Sequence, residues 1–376
     1  MTVVSYYALL AAVLVGAGVA GILVLTQRWH GRFSLDHDLN GAQKFHEVPV
    51  PRVGGLAFVA GLLAAMFVMA DEEGGAWHQM LLLLLAGIPA FAAGLFEDMT
   101  KSVSVRFRLV ATFLSAALAI WLLDATLTRT NTFGLDELLA YLPFAMLFTC
   151  FAVAGVANAV NIIDGFNGLA SGSVVIMLLG MAGLSWISQD TMMLTFCLAG
   201  AAALLGFMLL NFPFGKIFLG DGGAYLAGFW LAECAVLLVA RNPDLSGWSV
   251  LLCCIYPIWE TVFSMWRKSI YRKTGMGRPD KVHFHMLVFR RMVGQQVGNS
   301  VAPWIRHGLT SLFIWVLVAL CQVTAMWLVW LTEQGWPITF AVVGFALTYG
   351  YIYRKLVVRV NQQMSGSVDD MRLNQS

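Results

Sequence analysis

The chain has 376 residues, of which 59% are hydrophobic and only 12% charged, with a formal net charge of +2. Soluble globular domains carry about twice that charged fraction, so the composition excludes an ordinary soluble protein. Eleven apolar runs, near 5–26, 53–70, 79–95, 108–124, 139–157, 169–188, 191–210, 223–240, 248–266, 309–331 and 337–356, are each about long enough for a membrane-spanning helix.

Of the 23 Lys and Arg residues, all except Arg129 and Arg241 fall in the odd-numbered connections and the C-terminal tail. The positive-inside bias then turns those connections and the C-terminus to the cytoplasm and the N-terminus outward. The first run has no base before it and Arg28 and Arg32 after it, the reverse of a cleaved secretory signal, and reads as a retained helix. The six cysteines lie inside apolar runs without metal-like spacing and read as packing residues. The expected architecture is all-α and polytopic, with about eleven transmembrane helices. It forms one integral-membrane domain over 1–360, followed by a loose polar tail over 361–376.

Each inner connection carries a motif. The first holds Lys44, His46 and Pro51-Arg52-Val53-Gly54-Gly55, which reads either as a phosphate-facing turn or as a plain basic turn. The second holds the adjacent carboxylates Glu97 and Asp98, then Lys101, Arg106 and Arg108; such a pair repels unless a cation or donor sits between its members. The third places Asn158, Asn161 and Asp164 at three-residue intervals, so that they share one helical face, and continues through Gly165, Asn167 and Gly168. Its alternative reading is of asparagines bridging helices inside a bundle. In the fourth, Phe218-Leu219-Gly220-Asp221-Gly222-Gly223 opens a span; Asp221 is either a cap or a ligand, and the glycines on both sides are expected to clear room for a bulky group. The fifth, about 40 residues long, holds His283 and His285, which share a face only in an extended segment.

Carboxylates Glu97, Asp98, Asp164 and Asp221 thus come from three connections at one membrane face. An oxygen-rich, histidine-poor donor set suits Mg²⁺, with Mn²⁺ as the alternative, better than zinc. The surrounding bases suit a multiply charged substrate. Together they point to metal-assisted phosphoryl transfer at the cytoplasmic surface.

Taken in order from Lys44 to Arg291, these five motifs resemble those of the polyprenyl-phosphate N-acetylhexosamine-1-phosphate transferases, the MraY/WecA-type enzymes. The family's paired-aspartate motif falls on Glu97-Asp98-x-x-Lys101, its Asn-x-x-Asn-x-x-Asp-Gly-x-Asp-Gly motif on Asn158–Gly168, its Phe-x-Gly-Asp on Phe218–Asp221, and its histidine motif on His283 and His285. The resemblance implies transfer of a sugar 1-phosphate from a UDP-sugar to undecaprenyl phosphate, with release of UMP. It implies Asp221, with Asp98, as the Mg²⁺ site, and Glu97, Asp98, Asp164 and Lys101 as catalytic residues. It also implies Asn158, Asn161, Asn167, His283, His285, Arg52 and Lys44 around the substrates. The partners expected are the two substrates and membrane lipid, no nucleic acid, and a second copy of the chain as a candidate assembly. Eleven spans resemble the branch using UDP-N-acetylglucosamine or a related sugar, whereas the muramoyl-pentapeptide branch usually has ten.

Three positions depart from the family pattern: Glu97 and Asn167 stand for aspartates, and Met286 for a histidine. Glu260, after Pro257, stands where relatives often have an aspartate, and reads as a supporting or structural residue. A polytopic transporter should place ionisable groups at mid-membrane, where Glu233 is the one clear carboxylate. An intramembrane aromatic prenyltransferase should carry two aspartate-rich motifs, and Asn167 spoils one candidate.

Overall fold

Every apolar run becomes a helix or a bent pair of helices in the computed structural model, which describes residues 5–35, 49–70, 76–272, 282–298, 301–332 and 335–373. Lys44 and His46 lie outside the described residues. Eight helices are long and apolar enough to cross a membrane, and two bent pairs bring the number to ten. The remaining run is the Gly55–Met69 helix, whose 15 residues span about 22 Å, short of the roughly 30 Å hydrocarbon layer. The protein is an all-helical, multi-pass membrane protein, and no strand occurs among the described residues.

The two bends have local causes. Trp77–Ala86 and Ile88–Thr100 meet at Gly87 with an angle of 49°, and Pro89 there lacks the N–H that would continue the ladder. Gly247–Cys253 and Ile255–Ile270 meet at 80° around Cys254. Gln322 Nε2 crosses from the Pro303–Leu331 helix to donate to the Cys253 carbonyl at 2.9 Å, satisfying a backbone group that the break exposes.

The helix Gly220–Arg241 is the axis of the bundle, with every residue from Gly220 to Cys234 buried. Small residues let its neighbours approach: a Cβ added to Gly228 would stand 2.7 Å from the Ala157 Cα on the Leu142–Ile163 helix. Its far end is tied down by the two bases that broke the charge asymmetry. Arg129 donates to the carbonyls of Val239 and Asn242, and Arg241 forms an ion pair with Asp190, the N-cap of Thr191–Asn211. The last helix spans Trp336–Val357, and the polar segment 361–373 continues its backbone in helical geometry. Extension adds one hydrogen bond per residue once a helix exists.

Candidate active site

Asp221 lies in the first turn of the axial helix, where the helix dipole favours a carboxylate. Arg52 reaches it from the connection that precedes Gly55–Met69, with Nη2 donating to Oδ1 at 3.0 Å. Asn161 Nδ2 donates to the same oxygen at 3.2 Å, and Arg108 donates to Oδ2. Asp98, 4% exposed in the last turn of Ile88–Thr100, accepts the Gly222 N–H at 3.0 Å and pairs with Arg52 Nε at 3.4 Å. Four segments, far apart in sequence, therefore converge on two carboxylates and two guanidinium groups.

Backbone pairing fixes that convergence. The Phe218 N–H donates to the Pro51 carbonyl at 2.8 Å, Gly54 N–H to Phe218 at 2.9 Å, and Gly55 N–H to Leu219 at 3.0 Å, zipping the first connection to the fourth. The glycines around Asp221 serve this packing and do not clear space for a ligand, which corrects the expectation above. Gly220 has φ +75°, and a Cβ there would lie 2.1 Å from the Arg52 carbonyl. A Cβ on Gly94 would lie 2.4 Å from the Gly222 nitrogen, so Asp98 and Asp221 are brought together by helices in backbone contact.

The asparagine stripe divides in role. Asn161 joins the site, whereas Asn158 Nδ2 donates to Ala154 at 2.7 Å and sits 3.4 Å from the Thr112 hydroxyl. Asp164 caps the Leu142–Ile163 helix, half-buried near Arg52, Asp221 and Asp98. Burial pushes its carboxyl up to about 7; Arg52 opposes that rise, while Asp221 and Asp98 add to it. Asn167 is turned away: it is 3% exposed, and its Nδ2 donates to the Pro213 carbonyl at 2.7 Å. Glu97 turns back to accept the Val103 N–H at 2.8 Å, closing the chain after Lys101, which is exposed in a left-handed C-cap at φ +56°. His283 and His285 are enclosed, at 4% and 0% exposure. Their rings stack 5.4 Å apart, and His285 meets the edge of Phe166 at 5.8 Å, so they back the loop that follows Asp164.

Two residues of the assembly were not assigned to the site from the sequence. Arg108 stands in the first turns of Val105–Leu123, where a cation opposes the helix dipole; that misplacement was the available signal. Asn211 accepts the Gly168 N–H at 2.7 Å and donates to the Ile217 carbonyl at 2.7 Å, joining the third connection to the fourth. At the end of an apolar run it looks like an ordinary helix terminus.

Comparison with known proteins fits this arrangement. The model of glycosyl transferase family 4 matches residues 80–239, which hold Glu97, Asp98, Asp164 and Asp221. An undecaprenyl-phosphate alpha-N-acetylglucosaminyl 1-phosphate transferase of Salmonella typhi is 30% identical over 258 residues, covering 66% of this chain and 67% of its own length. A phospho-N-acetylmuramoyl-pentapeptide-transferase of Streptococcus thermophilus is 27% identical over 314 residues, covering 77% of this chain and 89% of its own. The chain belongs to glycosyl transferase family 4. Its apolar helices and its bacterial relatives make it a multi-pass protein of the bacterial inner membrane.

Proposed function

We propose that the protein transfers a sugar 1-phosphate from a UDP-sugar to undecaprenyl phosphate, releasing UMP, at the cytoplasmic face. The observation that carries this reading is the convergence of Asp98, Asp221, Asn161, Arg52 and Arg108 on one point. The sugar proposed is N-acetylglucosamine or a related N-acetylhexosamine, as in the Salmonella typhi relative's name. The reading with a muramoyl-pentapeptide donor is favoured by the longer match to the Streptococcus thermophilus protein.

The residues present fit a Mg²⁺ ion, with Mn²⁺ as the substitute. Asp98 Oδ1 has no hydrogen-bond partner among the described residues and only the Arg52 ion pair. Mg²⁺ takes one or two protein carboxylates and fills its shell with water and phosphate; among the described residues no group of three or more His, Cys, Asp or Glu side chains is placed to hold a metal. Asp221 and Asp98 would hold the ion, which when bound supplies charge neutralisation for the donor's diphosphate. Arg52 and Arg108 bring fixed positive charge to the same place and suit bidentate contact with phosphate.

In the reaction, an oxygen of the lipid phosphate forms a bond to the sugar-bearing phosphorus, and the bond from that phosphorus to UMP breaks. A phosphate monoester has a second pKa of about 6, so at neutral pH most of the nucleophile is already a dianion. Positioning and charge stabilisation then outweigh proton removal. Glu97, bonded to the Val103 N–H, is assigned to holding the loop. A cavity of about 300 Å³, lined by apolar residues including Phe148, Val153, Ala232, Val236, Leu251 and Ile258, lies further along the axial helix. It begins about 16 Å from Asp221 by helical rise and supports accommodation of a polyprenyl tail.

The test is UMP release by purified protein with undecaprenyl phosphate and Mg²⁺, comparing UDP-N-acetylglucosamine, other UDP-N-acetylhexosamines and UDP-N-acetylmuramoyl-pentapeptide. We expect turnover with an N-acetylhexosamine donor, and its loss in Asp221→Asn while the protein stays folded in detergent. Near-normal turnover in that variant would remove Asp221 from the site.

A further inference from the structure

Glu260 lies outside the Asp98–Asp221 cluster, on the second half of a bent span, and is 1% exposed. A buried carboxylate is costly unless donors surround it, and this one gathers three. His283 Nδ1 lies 2.9 Å and the Phe284 N–H 3.0 Å from Oε1, and the Tyr349 hydroxyl donates to Oε2 at 2.9 Å. The carboxylate thus joins the bent span, the histidine segment and the last helix.

An ionised carboxylate only accepts hydrogen bonds, so Nδ1 of His283 is the nitrogen that carries the proton. Nε2 is left as the ring nitrogen without a bond to a described residue. His285 is differently placed: fully enclosed, with Nδ1 at 3.4 Å from the Tyr256 hydroxyl and 4.0 Å from Glu260 Oε2. Stacking of His283 on His285, and of His285 edge-on to Phe166, sets the pair against the loop that carries Asp164.

We propose that Glu260 is a positioning residue, fixing His283 in its Nδ1–H form so that Nε2 is the atom presented to the sugar-phosphate of the donor. A carboxylate behind a histidine sets the tautomer and orientation of the ring and raises its basicity. A glutamine replaces it only in part: its carbonyl can accept from His283 and the Phe284 N–H while its amide meets the Tyr349 hydroxyl, which can accept, but the negative charge behind the ring is gone. What Nε2 meets rests on the transferase reading; the tautomer does not.

Two measurements test this separately. Nitrogen-15 NMR of the neutral His283 ring, assigned by its loss in His283→Ala, is expected to show Nδ1–H in the parent and a shift toward Nε2–H in Glu260→Ala, which leaves no acceptor at Nδ1. A parent ring already protonated at Nε2 would overturn the proposal, as would a tautomer unchanged in Glu260→Ala. In the UMP-release assay, Glu260→Gln is expected to lower kcat/KM for the UDP-sugar by about tenfold to a hundredfold. The double variant Glu260→Gln/His283→Ala is expected to lose no more than His283→Ala alone. Multiplying losses would show that Glu260 acts independently of His283 and would also overturn the proposal. Glu260→Asp keeps the charge, and is expected to keep the tautomer and to recover part of the rate. If Glu260→Ala does not fold, an Nε2–H ring in Glu260→Asp decides against the proposal and an Nδ1–H ring supports it. Absence of UMP release by the parent protein would reject the transferase reading and leave the NMR result standing.

Discussion

The Asn167 side-chain amide donates to the Pro213 carbonyl at 2.7 Å, and its backbone carbonyl accepts the Ser311 hydroxyl at 2.7 Å. An ionised aspartate at 167 would set a second acceptor against the Pro213 carbonyl. Losing a buried hydrogen bond in this way costs about 1–3 kcal/mol. We therefore expect Asn167→Asp to lower thermal stability at pH 8, with part of the loss recovered in acid, where a protonated carboxyl can donate again. An altered sugar preference without loss of stability would return Asn167 to the substrate site. The two other side chains of the stripe that look alike in sequence have different fates: Asn161 reaches Asp221, whereas Asn158 bonds within its own helix. Spacing placed all three polar groups on one end of the bundle, but only the meeting of separate connections decides which ones touch. The dipole signal at Arg108 did not say what it touches, for a related reason. A base near a span end is explained by topology alone, and its contact with Asp221 depends on the angle between two helices.

At the scale of elements, helix termini hold the polar chemistry at both ends of the bundle. At the end opposite the carboxylate site, Asp190 caps Thr191–Asn211 through the Met193 N–H and receives Arg241 at 2.7 Å and Asn242 at 3.1 Å. Burial alone would raise its carboxyl, but the Arg241 hydrogen bond, the Met193 N–H and the Asn242 amide outweigh burial and hold it below the usual range. A carboxylate depressed in the folded state adds stability above its unfolded pKa of about 4 and loses it as pH falls through the lower folded value. Asp190→Asn keeps a capping oxygen but gives up the ion pair. Because Arg241 is 42% exposed, the cost is screened and we expect about 0.5–1 kcal/mol near pH 7. Thermal melts of the two proteins should converge as the pH drops below about 4. A difference that does not change with pH would place the cost in the cap. The helices themselves were readable from apolar length, and the first bend lies at Gly87 and Pro89, whereas the second, at Cys254, precedes Pro257 by three residues. The angles were not readable, because they depend on what each half packs against.

For the whole molecule, the charge asymmetry and the site agree on one face. Asp98, Asp164 and Asp221 stand at helix ends beside the connections that hold nearly all the basic residues, and at the other end Arg129 caps the axial helix while Arg241 ties it to Asp190. A multiply charged nucleotide substrate would be drawn to the first face and to no part of the second. The structure permits a direct test, because Cys150, Cys197, Cys234, Cys253, Cys254 and Cys321 are all buried and not in disulfides. Lys216 is exposed in the connection that leads to Asp221, and Phe133 is 99% exposed at the opposite end. With a membrane-impermeant thiol reagent, intact cells should label Phe133→Cys and spare Lys216→Cys, and inside-out vesicles should reverse the pattern. Labelling of Lys216→Cys from outside would turn the site away from the cytoplasm, where UDP-sugars are made, and the proposed reaction would fail with it.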